Sequence, residues 1–95
     1  MAAEKSLQDA CLTLLRRRRI YHSNTHGNAW EARGRPDIYI CYRGRFIGVE
    51  LKRGEDSEPA PLQRKHLREI EESGGIGIWI TELRELAALL ERLSK

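Results

Sequence analysis

The chain has 95 residues, with 17 Lys and Arg against 14 Asp and Glu, a net charge of +3 and a charged fraction of 33%, above the usual quarter. That length suits one small domain spanning residues 1–95, and the basic balance favours a polyanionic partner over an acidic one. No apolar run approaches the roughly 20 residues that cross a bilayer and no signal peptide is visible, so a cytoplasmic protein without a membrane partner is expected.

Residues 3–19 read as an amphipathic helix, with Leu7, Cys11, Leu14 and Leu15 recurring at helical spacing. Glu4 falls on the same stripe. It is either a solvated acid favoured by the helix dipole or a carboxylate aimed at a buried polar site. Arg16 to Arg19 form either a solvated helix end or a phosphate-contacting patch. Residues 20–26 read as a short polar strand, and 27–35 as a loop containing Trp30, Arg33 and Arg35. Trp30 is expected to plug the core rather than to stack on bases. His22 and His26 lie four apart outside a helical context, which favours surface polar groups over zinc ligands. Cys11 and Cys41 fit no metal-ligand spacing and are expected to be small buried hydrophobes in a reducing compartment.

Residues 37–52 read as two strands joined at Arg43-Gly44, where glycine supplies the positive φ of a tight turn. With those two as central turn residues, Tyr42 faces Arg45, Ile40 faces Ile47, Ile38 faces Val49 and Asp37 faces Glu50. Two carboxylates then share one face with Cβ atoms about 4.5–5.5 Å apart, an arrangement that destabilises a sheet. Lys52 points to the same face, while Ile38, Ile40, Ile47, Val49 and Leu51 point to the other. A divalent metal site explains such a pair, with Gly48 and an ammonium beside it, better than folding does.

Glu55, Asp56 and Glu58 follow on a loop and are expected to be solvated rather than metal ligands. Pro61 opens a second helix that ends at Gly74-Gly75. Leu67 and Ile70 face the core. Gln63 shares their face and either caps backbone donors or reaches the charged face of the hairpin. Arg64, Lys65 and Arg68 lie off that stripe. The apolar run 76–81 reads as a central strand buried on both faces. Thr81 is expected to cap the last helix, with Glu82 in its first turn. That helix has Leu83, Leu86, Ala87, Leu90 and Leu93 as its inner stripe, and Ala88 and Leu89 leave apolar surface for a partner subunit. The crossover through the second helix makes the last strand parallel to the second hairpin strand. The expected fold class is α/β, a mixed β-sheet flanked by helices in the order α-β-β-β-α-β-α.

Pro36-Asp37 followed by Glu50-Leu51-Lys52 resembles the PD-(D/E)XK nuclease signature. With Glu4 in the first helix, Gly34 before the Pro-Asp pair, Gln63 in the crossover helix and the strand after Gly74-Gly75, the chain is similar to a minimal, stand-alone VRR-NUC (virus-type replication-repair nuclease) domain. The resemblance implies a restriction-endonuclease-like fold and metal-dependent hydrolysis of phosphodiesters in branched or flapped DNA, with Mg²⁺ or Mn²⁺ and no organic cofactor. It implies that Asp37, Glu50 and the Leu51 carbonyl hold the ion, with Glu4 completing the set directly, through water or at a second metal. Hard carboxylate oxygens suit Mg²⁺. Lys52 would orient or activate the attacking water and Gln63 would position that water or Lys52. Arg33, Arg35, Arg53, Arg64 and Lys65 are candidates for DNA backbone contacts. A DNA-repair function on Holliday junctions by a homodimer is the leading expectation, because a symmetric four-way junction has two cut points. A flap or nicking nuclease within a replication complex is the alternative, and the stand-alone form suggests a phage source. A non-catalytic nucleic-acid binding module leaves the convergence of Asp37, Glu50 and Lys52 unexplained, because carboxylates repel phosphate. An adaptor protein makes that pair accidental.

Overall fold

A computed structural model describes residues 3–25, 33–54 and 57–95, with the backbone alone described for residues 3–5. The elements are α1 (Ala3–Arg17), β1 (Tyr21–Asn24), β2 (Ile38–Tyr42), β3 (Arg45–Leu51), α2 (Pro61–Glu72), β4 (Ile76–Ile80) and α3 (Leu83–Leu93). This is the expected order. The four strands form one mixed sheet in the order β1-β2-β3-β4. The first two pairings are antiparallel and β3 pairs with β4 in parallel, as the crossover through α2 requires. His26, Trp30, Glu55 and Asp56, each considered above, lie outside the described residues, as does the Glu4 side chain.

One face of the sheet carries the main core. Ile38 and Ile40 from β2, Ile47, Val49 and Leu51 from β3 and Ile80 from β4 pack with Cys11 and Leu15 of α1 and Leu86, Leu89 and Leu90 of α3. Strand alternation sends the intervening residues to the other face. There α2 lies against the register pair Gly48 and Gly77. A Cβ on Gly48 would sit 2.5 Å from Ile70 Cδ1, and one on Gly77 would collide with the Leu67 backbone. The helix therefore rests on bare strand backbone. Gly48, which the sequence places beside the carboxylates, serves that packing.

Four expectations need correction. The run 76–80 is an edge strand rather than a central one, since nothing pairs beyond β4 among the described residues. It reads as doubly buried because α3 and the main core take its isoleucines while α2 covers Gly77 on the other face. Cys41 is exposed, whereas Cys11 is buried. α2 does not extend over the turn end of the hairpin, so Cys41 stands between the exposed Tyr21 and Phe46 on uncovered sheet. Glu82 rather than Thr81 is the N-cap of α3, and the Glu85 carboxylate accepts both amides, at 2.8 Å from Thr81 and 3.0 Å from Glu82. In the same helix Leu89 is buried in the core, which removes it from the surface expected to meet a partner.

Candidate active site

The site begins with the hairpin turn. Arg43 and Gly44 both take positive φ, 50° and 81°, the backbone of a type I′ turn whose twist matches the strands. The ladder then runs Tyr42–Arg45, Cys41–Phe46, Ile40–Ile47, Tyr39–Gly48 and Ile38–Val49, as read from the sequence. Asp37 lies one residue beyond the last ladder pair. There the pattern changes, because Pro36 has no amide hydrogen and cannot continue the ladder. The Leu51 amide donates instead to Asp37 Oδ2 at 2.7 Å. On its other side β3 stays paired, with the Lys52 amide donating to the Ile80 carbonyl at 2.9 Å. Asp37 is thus fastened to the backbone between Glu50 and Lys52.

Pro36 is fully buried and its ring lies over Gly48. Thr25, at the end of β1, donates its hydroxyl to the Pro36 carbonyl at 2.8 Å and its amide to the Asp37 carbonyl at 3.0 Å. The strand entry holding Asp37 is therefore braced from both neighbours, and nothing in the sequence singles out Thr25 for that duty.

Glu50 is 3% exposed. Burying a carboxylate costs several kcal/mol unless partners offset it. Gln63 Nε2 donates to Glu50 Oε2 at 2.8 Å, and Lys52 Nζ stands 3.8 Å from the same oxygen. Both readings of Gln63 hold at once, since its Oε1 accepts the Ala60 amide at 2.7 Å and so caps the start of α2. The Gly48–Gly77 seat brings that helix end close enough to reach the hairpin. The Lys52 side chain is 17% exposed, so its ammonium lines the site's mouth rather than facing open water.

The structure brings together Asp37, Glu50, Leu51, Lys52 and Gln63. Glu4 belongs to the first turn of α1, and its side chain lies outside the described residues. Of the basic candidates, Arg33, Arg35, Arg53, Arg64 and Lys65 are all exposed. Arg64 pairs with Glu58 and donates to the Pro59 carbonyl at 3.1 Å, and Lys65 lies 3.8 Å from Glu69. Exposed pairs of that kind contribute about 0–1 kcal/mol, so breaking them costs little. Sequence reasoning missed His66, whose Nε2 lies 3.0 Å from the Arg33 carbonyl. It ties the Arg33-Gly34 turn to α2. Gly34 itself has φ 82° and leaves room for only a hydrogen, since a Cβ would sit 2.7 Å from Leu62 Cγ. His22 turns its Nδ1 to the Ile20 carbonyl at 2.8 Å.

The donor set suits a hard cation. Among the described residues no group of three His, Cys, Asp or Glu side chains converges. Two carboxylates with a backbone carbonyl between them match the way Mg²⁺ is held, because it keeps several waters and shares substrate phosphate oxygens. The Leu51 amide does not exclude Asp37 from that role, as an ionised carboxylate offers about four lone-pair sites.

No protein-family model matches the sequence, and no curated protein matches it. The fold is similar to that of a solved structure described as a VRR_NUC domain protein, with a TM-score of 0.73 and 16% sequence identity over 97% of this chain and 88% of that one. At that identity the likeness shows the fold: a four-stranded mixed sheet flanked by helices in the order α-β-β-β-α-β-α, as in a VRR_NUC domain protein.

Proposed function

We propose that the protein is a metal-dependent, structure-selective DNA endonuclease that hydrolyses phosphodiesters in branched DNA. The observation that carries this reading is the buried Glu50 carboxylate, held by Gln63 and Lys52, one residue from the amide that fastens Asp37. A fold does not by itself give a function, but a buried acid beside a second acid is costly to a small domain and is kept where it binds a cation.

Asp37, Glu50 and the Leu51 carbonyl would hold Mg²⁺ or Mn²⁺, with Glu4 as a further ligand. When bound, the ion polarises the scissile phosphate and lowers the pKa of its water. Lys52 holds the attacking water by hydrogen bonding and offsets charge growing on the phosphate oxygens. Gln63 fixes the rotamer of Glu50 and, through their shared oxygen, the approach of Lys52. Arg33, Arg35, Arg53, Arg64 and Lys65 contact backbone phosphates, which gives affinity and salt dependence without sequence choice. A homodimer would supply the two cuts of a four-way junction.

The test is incubation with a four-way junction, a 5′ flap, a 3′ flap and linear duplex, each with Mg²⁺, Mn²⁺ or EDTA. Metal-dependent cleavage of branched DNA is expected, with paired symmetric nicks in the junction. Absence of metal-dependent cleavage on every substrate overturns the reading. Single cuts confined to flaps would support nuclease action without the resolvase.

A further inference from the structure

Trp79 stands opposite Glu50 in the β3–β4 ladder. Register partners in neighbouring strands share a face and lie about 4.8 Å apart, so the indole belongs to the same face as the buried carboxylate. It is 37% exposed, on the edge strand. The indole is therefore partly covered, with an open portion beside α2. Together with Arg64, Leu67, Arg68, Glu71 and Gly77 it lines an open pocket of about 280 Å³.

The charges around the indole favour an anion. Arg64 uses two of its five donors on Glu58 and the Pro59 carbonyl. Arg68 is exposed one turn further along the helix. The acid of the group, Glu71, turns Oε2 to the strand edge, where it accepts the Gly77 amide at 2.8 Å. An aromatic face flanked by guanidinium groups is the combination that holds single-stranded nucleic acid, the base stacking and the phosphates pairing with the cations. Its place, directly across the ladder from Glu50, sets the ligand beside the cut.

Resting on the nuclease reading, we infer that this pocket holds one unpaired nucleotide of the substrate next to the scissile phosphate. The base stacks on Trp79, and Arg64 and Arg68 hold the flanking phosphates. The pocket takes a base unstacked at a branch point, at a flap or where the strands of a four-way junction exchange, because a base stacked inside a duplex cannot present its face to the indole.

The test is the affinity of a fluorescein-labelled oligothymidylate, followed by anisotropy in EDTA so that binding is read without cleavage. Trp79→Ala is expected to weaken binding about tenfold, and Trp79→Phe, which keeps an aromatic face, to stay within about threefold of the parent. Blunt duplex should bind the parent and Trp79→Ala alike. Arg68→Gln, on an exposed helix position, should reduce the salt slope of oligothymidylate binding by about 0.7. It serves as the second readout if Trp79→Ala melts below the assay temperature. Oligothymidylate binding unchanged in Trp79→Ala, or an unchanged salt slope in Arg68→Gln, overturns the inference. If those variants bind like the parent while junction cleavage persists, the nuclease reading stands and the pocket is only packing. If the indole carries binding but no metal supports cleavage, single-strand binding by the pocket stands, while its place beside a scissile phosphate falls with the nuclease reading.

Discussion

Gln63 Nε2 donates to Glu50 Oε2 at 2.8 Å while Gln63 Oε1 accepts the Ala60 amide at 2.7 Å. One side chain thus both starts α2 and holds the buried acid of β3. Gln63→Ala removes a hydrogen bond from a buried charge, a loss of about 1–3 kcal/mol. Chemical denaturation should show that fall. Gln63→Glu should be worse, since it brings a second carboxylate to Glu50 where like charges repel.

Glu50→Gln separates function from stability. The neutral amide removes the cost of burying a charge while keeping the shape. The melting temperature, measured in EDTA, is expected to hold or rise, and cleavage, measured with Mg²⁺, to drop by about a hundredfold or more, since metal ligation is lost. Calorimetry beside a junction-cleavage assay checks both. A large fall in stability would make Glu50 a structural residue.

The two glycines under α2 should respond unequally. An added methyl at Gly48 meets Ile70 Cδ1, the movable end of a side chain, whereas one at Gly77 meets the backbone of Leu67. Overpacking costs about 1–3 kcal/mol. Gly77→Ala is therefore expected at the upper end of that range, with a loss of cleavage as α2 carries Gln63 away from Glu50. Gly48→Ala should be milder on both counts. Paired denaturation curves and initial rates decide it.

The cysteines should differ in reactivity and in pH dependence. Burial pushes the Cys11 thiol from 9.0 to about 11. Below pH 9 the thiol is neutral in both folded and unfolded chains, and its contribution to stability is complete. As pH rises from 9 to 11 the unfolded chain loses the proton first, so about 2–3 kcal/mol of stability is lost. Cys11→Ala should show a flatter stability profile across that window. In native protein a maleimide should label Cys41 quickly and Cys11 only after unfolding.

Much of the hairpin was legible in the sequence because its signals are local. Arg43-Gly44 sets the turn, the turn sets the register, and strand alternation then places Glu50 and Lys52 on one face. The crossover made β4 parallel. What stayed hidden depends on how far a helix extends over the sheet. An apolar run containing Gly77 looks alike whether a strand or α2 covers it, so the edge position of β4 was not readable. Cys41 has the alternation of a buried residue and is exposed, as are its ladder partners Tyr21 and Phe46, because nothing among the described residues covers that end of the sheet face. Trp79 beside Glu50 requires the β3–β4 register, which the two chain segments do not announce. The double duty of Gln63 needs the helix start and the strand end in one place.

The central claim is that Asp37 and Glu50 form a metal site for phosphodiester hydrolysis. Its most direct test is the rate of four-way junction cleavage by the parent and by Asp37→Asn as Mg²⁺ is titrated from EDTA. The parent is expected to cut only with metal, and Asp37→Asn to lose about a hundredfold or more in rate at every Mg²⁺ concentration, with its fold intact by circular dichroism. Cleavage by the parent in EDTA, or undiminished cleavage by a folded Asp37→Asn variant, would contradict it.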